Sequence, residues 1–301
     1  MKTLKLIGSL LIASFIFSSC EKVIDIDLED AKTRIVVEGG VFQYTEASMN
    51  TGYQYIKLSS SHPYFGDQNG DYSISDAEVN IRENQSGNIY PLLESTTQPG
   101  MYETQNLTGQ LNQSYTLLIT ATVGGEIQSF EATDSIARLA PEMEEIGFHK
   151  DSTRKDGPGS DKEIGYLTLI SFQEPQDTKD YYKFNTYLND TLIKNDIDGG
   201  TQWIILKRDE HLDSDVDSVI INDFLIPLEQ EGDDIRVEMT LLTKSTYFYL
   251  FNLYENAAQA GSDFPAAEVK GNIINKTNSD LYGLGYFHCG SRSGISTIVP
   301  K

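Results

Sequence analysis

Between residues 77 and 83 the chain reads Ala-Glu-Val-Asn-Ile-Arg-Glu, with apolar and polar side chains alternating from Ala77 to Arg82. Successive side chains of a strand point to opposite faces, so this period of two marks a half-buried β-strand. Comparable runs occur at 35–42, 55–60, 89–93, 100–104, 114–123 and 126–132. Turn signals separate them: Ser86-Gly87-Asn88, Gln98-Pro99-Gly100, and Gly124-Gly125 as a two-residue hairpin loop. Short strands with turns this frequent predict an immunoglobulin-like β-sandwich over residues 34–140. The chain has no Cys…Trp…Cys pattern, which excludes an antibody-type domain.

Leu139-Ala140-Pro141 marks a boundary, and residues 151–163 (DSTRKDGPGSDKE) read as a polar surface loop. Beyond them, β-branched and aromatic runs at 165–172, 181–188, 202–207, 218–228 and 234–243 predict a second β-rich domain over 141–301. Residues 245–258 change the period. Tyr247, Leu250, Phe251, Tyr254 and Ala258 recur at helical spacing, with Ser245 as the expected N-cap. This aromatic stripe reads as core, so one helix packs beside the second sheet. Strand pattern resumes at 268–274 and 282–289. The fold class is therefore mainly β: a sandwich followed by a second β-rich domain carrying one helix.

The first residues do not belong to either domain. Lys2 and Lys5 precede an apolar run from Leu6 to Phe17, then Ser18, Ser19 and Cys20. The run is too short for a spanning helix and fits a secretory signal over 1–19. A Cys directly after small residues points to lipoprotein processing, with Cys20 acylated and the chain held to a membrane by its acyl chains. A plain signal peptide with a nearby Cys is the alternative. Residues 20–33 then form an acidic tether.

Charge narrows the partners. Loss of Lys2 and Lys5 leaves 21 of the 23 basic residues against 45 acidic ones, a formal charge of −24. Such a surface repels nucleic acid. With Cys20 acylated, Cys289 has no partner, so no disulfide supports the fold.

Candidate chemistry is sparse. Asp67, Asn69, Asp71, Ser73, Ser75 and Glu78 occupy the spacing of a calcium loop, with Ile74 at its apolar position. Tyr72 stands where that loop needs Gly, and the flanks read as strand, so a solvated loop is the competing reading. Asp213, Asp215 and Asp217 form an acidic cluster near His211. His62, His149, His211 and His288 are scattered without zinc spacing. No nucleophile elbow or phosphate-cradling loop occurs. Cys289 follows His288, but adjacent strand residues face opposite ways, so Cys289 reads as a buried thiol. No enzyme activity is expected, and no cofactor other than calcium. Asp134-Ser135-Ile136, Asp190-Thr191-Leu192 and Asp217-Ser218-Val219 share a form similar to the O-glycan acceptor motif of Bacteroidota envelope proteins. Ser135, Thr191 and Ser218 would be the acceptors.

Cys20-Glu-Lys-Val-Ile-Asp-Ile, Ile35-Val-Val-Glu-Gly-Gly, Ile74-Ser-Asp-Ala-Glu-Val-Asn-Ile and Gly100-Met-Tyr stand in the first half. Tyr247-Phe-Tyr-Leu-Phe-Asn-Leu, Gly271-Asn-Ile-Ile-Asn and Gly283-Leu-Gly-Tyr-Phe stand in the second. With these motifs the chain resembles the Bacteroidota outer-membrane lipoprotein family known as domain of unknown function 4249. The resemblance implies an outer-membrane location and an accessory role beside a TonB-dependent transporter. It carries no catalytic residues. The expectation is a lipid-anchored, ligand-capturing partner of such a transporter. A surface adhesin is the main rival, and a carbohydrate-active enzyme with paired carboxylates in a cleft is the third.

Overall fold

The structure is a computed structural model. It describes residues 32–45, 53–61, 70–154, 162–175, 177–193, 195–197, 200–202, 205–208, 215–220, 226–227, 230–259 and 268–301. The signal, Cys20 and most of the tether lie outside the described residues. The strands in chain order are β1 (Ile35–Tyr44), β2 (Gln54–Ser60), β3 (Glu78–Glu83), β4 (Ile89–Glu94), β5 (Met101–Thr104), β6 (Gln113–Val123), β7 (Glu126–Ile136), β8 (Met143–Arg154), β9 (Lys162–Gln173) and β10 (Tyr181–Leu188). They continue with β11 (Thr191–Leu192), β12 (Asn195–Ile197), β13 (Gly200–Gln202), β14 (Ile205–Arg208), β15 (Asp215–Ile220), β16 (Ile226–Pro227), β17 (Asp234–Leu241), β18 (Ile274–Asn275) and β19 (Leu284–Ile298). The helix α1 spans Lys244–Gln259, between β17 and β18. The molecule is mainly β.

A 13-stranded sheet runs β11-β10-β17-β19-β1-β2-β5-β4-β3-β6-β7-β18, with β14 also paired to β10. Its keystone is β19, which pairs in parallel with β1 and antiparallel with β17. Strand β4 pairs with both β3 and β5, so it joins two layers of the sheet. Between these layers lies one hydrophobic core. Ile35, Val37, Ile56, Leu58 and Tyr102 meet Val79, Ile81, Tyr115, Leu117 and Phe130 there. A second core lies between the β10–β17–β19 part of the sheet and a separate four-stranded sheet of β8, β9, β15 and β16. Tyr182, Phe184, Val237 and Met239 meet Ile146, Tyr166, Ile170 and Phe172 in it.

Leu139-Ala140-Pro141 lies between β7 and β8, with Ala140 in the second core, and C-terminal residues build into the first core. Ile273, Phe287 and Cys289 belong to the first core, while Ile295 packs on the second. One face of β19 thus serves both, with buried Ser291 and Ser293 at the seam. The linker crosses there: the Ala140 backbone N–H donates to the Ser291 hydroxyl, and Arg138 pairs with buried Asp180. Thr33–Lys301 forms one compact unit.

Other expectations need correcting. Residues 151–154 are not loop but the end of β8, paired with Lys162, Glu163, Ile164 and Gly165 of β9. The strand 282–289 extends as β19 to Ile298. The helix N-cap is Thr243, not Ser245: Thr243 Oγ1 accepts from the Thr246 backbone N–H at 3.3 Å. Of the aromatic stripe only Tyr247 is fully buried, and Phe251 is exposed.

Several glycines mark close backbone approaches. At Gly40 a Cβ would lie 1.7 Å from the His288 carbonyl oxygen. At Gly285, with φ of +85°, it would lie 1.9 Å from the Val37 carbonyl oxygen. These positions let β19 dock against β1. Asn272 adds to the docking, its side chain donating to the Phe287 carbonyl (2.7 Å) and accepting from the Phe287 N–H (3.0 Å). Asp134 on β7 accepts from the Cys289 N–H at 2.8 Å across the first core. Burial raises the Asp134 carboxyl to about 6, against the lowering effect of its Cys289 and Ser135 backbone hydrogen bonds.

Two predictions follow from this docking. Gly285→Ala meets both a left-handed φ and a backbone clash, and should lower urea-unfolding stability by more than about 3 kcal/mol. Gly87→Ala, also at positive φ but with open space around the added Cβ, should cost only about 1 kcal/mol. Asp134 binds its proton more tightly folded than unfolded, so its ionisation destabilises the fold as pH rises from about 4 through 6. Relative to wild type, Asp134→Asn should therefore gain about 2 kcal/mol in stability between pH 4 and pH 7. Unfolding curves at both pH values check this.

Candidate functional site

The face of β10, β17, β19 and β1 that points away from the two cores carries the polar side chains. Register sets them in rows. Lys183 pairs with Thr240, Thr240 with Arg292, and Arg292 with Tyr44. Asn185 pairs with Glu238, and Tyr187 with Arg236. Alternation puts His288 and Arg292 on the same face of β19, either side of Gly290.

Phe42 is the centre of this face. The Arg292 guanidinium stacks on its ring at 3.4 Å, and the His288 ring meets it edge-on at 4.8 Å. Arg292 also donates to the Tyr44 hydroxyl at 3.3 Å. His288 bonds to the Gly39 backbone, and burial with Lys183 and Arg292 nearby holds its pKa well below the ordinary value, so it is neutral at pH 7. Its Nε2 and the Arg292 Nε are shielded from solvent and have no hydrogen-bond partner among the described residues. Burial and then Arg292 bring the Lys183 ammonium down to about 8, although Glu238 and Glu38 act to raise it. Glu238 is itself committed: it pairs with Arg236 and accepts from the Tyr187 hydroxyl at 3.2 Å. Arg236 in turn stacks on Tyr187 at 4.0 Å. Lys183 and Arg292 are therefore two half-buried cations on one face, with no carboxylate in ion-pair contact among the described residues.

A groove adjoins this face. It lies between α1, the segment 268–272 and Tyr286 of β19, with a volume of about 590 Å³. The Thr243 cap fixes where the helix starts, and Tyr181, Leu242 and Tyr247 anchor its first turn. That anchoring sets Tyr249 against Tyr286, their ring centroids 5.0 Å apart. Burial raises the pKa of both tyrosines; Tyr249 bonds to the Gly285 backbone, and Tyr286 to Ser245 and Thr246. Asn252, Glu255, Asn256, Glu268 and Lys270 supply most of the polar lining. Glu268 pairs with Arg34. Glu38, opposite Tyr286 across the β1–β19 pair, lies between the groove and the cations.

The residues singled out from sequence are mostly elsewhere. Cys20, Asp67, Asn69, Asp213 and the side chains of Asp215, Asp217 and Ser218 lie outside the described residues. Asp71, Ser73, Ser75 and Glu78 are placed in a loop and at the start of β3. The Asp71 carboxylate accepts from the Ser73 N–H, which together with the Ser73 side chain holds its pKa below the ordinary range. Glu78 accepts from Asn80. Glu94 accepts from the Asp76 and Gly100 N–H groups, and the Tyr102 hydroxyl donates to the Ile74 carbonyl. Among the described residues, no group of three or more His, Cys, Asp or Glu side chains is placed to hold a metal. Ser135 is half-buried beside Asp134, and Thr191 is exposed after a turn with positive φ at Asn189 and Asp190. Cys289 is buried, and its thiol is pushed well up by burial and then by Asp134. Lys183, Arg292 and Glu238 were not visible as a site in the sequence, because only strand register brings them together.

No helix among the described residues is long and apolar enough to cross a membrane. No curated protein matches the chain. A family model does match, over residues 21–295, and the motif residues Gly40, Asn272 and Gly285 inside that span have the structural roles described above. The chain therefore belongs to the family described as Domain of unknown function (DUF4249).

Proposed function

We propose that this protein is a Bacteroidota outer-membrane lipoprotein, anchored through acylated Cys20, that captures a ligand as a non-enzymatic partner of a TonB-dependent transporter. The observation that carries ligand capture is the groove of about 590 Å³ between α1, the segment 268–272 and Tyr286, where the Tyr249 and Tyr286 rings meet polar side chains. Concave sites lined by rings with a few placed polar groups are the usual form of small-ligand sites. The anchor and the transporter rest on the signal-like first twenty residues and on the family resemblance. Of the three O-glycan acceptors, Thr191 fits best, since it is exposed at a tight turn.

Two measurements test this reading. Metabolic labelling with a tagged fatty acid should label the wild-type protein and not Cys20→Ala; an unlabelled wild type contradicts the lipid anchor. A tagged pull-down from gently solubilised outer membranes should bring down a TonB-dependent barrel in stoichiometric amount. A clean preparation without a barrel contradicts the transporter role.

A further inference from the structure

Resting on the ligand-capture reading, we propose that the groove beside α1 binds an extended peptide of basic character. One wall of the groove is the stretch 268–270, which is neither helix nor paired strand. Its backbone N–H and C=O groups have no hydrogen-bond partner among the described residues. A stretch of this kind accepts a further extended chain through main-chain hydrogen bonds. The opposite wall is α1, where Ser245, Tyr249, Asn252 and Asn256 follow at spacings of three or four along one stripe. From Ser245 to Asn256 that wall runs roughly 16 Å, which faces about five residues of an extended chain.

Asn252 and Asn256 are the groups that would hold the peptide backbone. They stand about 6 Å apart along the helix axis, and every second residue of an extended chain recurs at about 6.6 Å. Neither makes a hydrogen bond to a described residue. An asparagine side chain both donates and accepts, so it can meet the C=O and the N–H of a single residue. The protein already contains such a contact, where Asn272 donates to the Phe287 carbonyl and accepts from the Phe287 N–H. Charge then sets the sign of the ligand. Glu268 is paired with Arg34, and Lys270, the one basic side chain of the lining, lies over the Tyr282 ring at 4.8 Å. Glu255 on the α1 wall has no ion-pair partner among the described residues, and the chain as a whole is strongly acidic. Both attract a cationic side chain to that wall. The Tyr249 and Tyr286 rings offer surface to apolar side chains and to cations. A neutral saccharide also suits rings and asparagines, but it draws nothing from these charges.

The test is titration calorimetry on the full-length protein in detergent micelles. The probes are acetylated, amidated heptapeptides alternating lysine with valine or tyrosine, the same peptides with glutamate for lysine, and cellotetraose. The lysine peptides should bind at least about tenfold more tightly than the glutamate peptides, and added salt should narrow that gap. Asn252→Ala and Asn256→Ala, each with unchanged melting temperature, should weaken the lysine peptides by roughly fivefold. Glu255→Gln should narrow the preference for lysine over glutamate. N-methylation of alternate peptide residues, which removes backbone donors and keeps the side chains, should weaken binding by about tenfold or more. Equal or tighter binding of the glutamate peptides, full affinity after N-methylation in either alternation, or no effect of the two folded asparagine variants overturns the proposal. Binding of cellotetraose alone, lost in Tyr249→Ala, overturns the peptide class and keeps ligand capture at this groove. Binding of no probe overturns the proposal and leaves the transporter role to the pull-down, which is independent of these readings.

Discussion

Strand β19 is the constraint on which the rest of this structure depends. Its core-side residues enter both hydrophobic cores, and its edges are occupied by β1 and β17, strands that lie nearly 200 residues apart in the chain. Such a strand has to be long, and it has to approach its neighbours closely. The second requirement explains the glycines. Gly40 and Gly285 sit where any Cβ would strike a backbone oxygen of the partner strand. Asn272 completes the docking by matching both the N–H and the C=O of Phe287 with one side chain. The family motifs Gly-Gly, Gly-Asn and Gly-Leu-Gly are therefore backbone-contact motifs, not ligand motifs.

The same strand generates the candidate site. One face of β19 is committed to the two cores, and its other face carries the half-buried Tyr286, His288 and Arg292. Phe42 then organises the cations by stacking, and α1 stands over Tyr286 to form the groove wall. The charge balance is local. Glu238 pairs with Arg236, whereas Arg292 lowers the proton affinity of Lys183, and both cations lower that of His288. This face is packed as well, since Tyr181, Leu242 and Tyr247 form a third cluster under the start of α1.

Much of this fold was legible in the sequence, and the failures have physical causes. Strands such as Glu78–Glu83 alternate cleanly because one side meets a core and the other meets solvent. The second half of β19 was not legible. Gly290-Ser-Arg-Ser-Gly294 looks like a loop, and only the tight seam at Ser291 and Ser293 makes small residues correct inside a strand. Residues 151–154 read as loop because they are polar, yet they extend a hairpin whose pairing needs only backbone groups. The helix period was correct, but its burial was not: one turn at Tyr247 is anchored, while Phe251 faces outward. The site was invisible for a different reason. Phe42, Lys183 and Arg292 share no motif and meet only through register.

The central claim is that β19 couples both cores into one cooperative unit. Native-state hydrogen exchange along β19 tests it most directly. The account predicts that amides of 285–289, paired with β1, and of 292–298, paired with β17, open with the same free energy. If the second stretch exchanges through a lower-energy opening while the first stays protected, the two cores unfold separately and the claim is wrong.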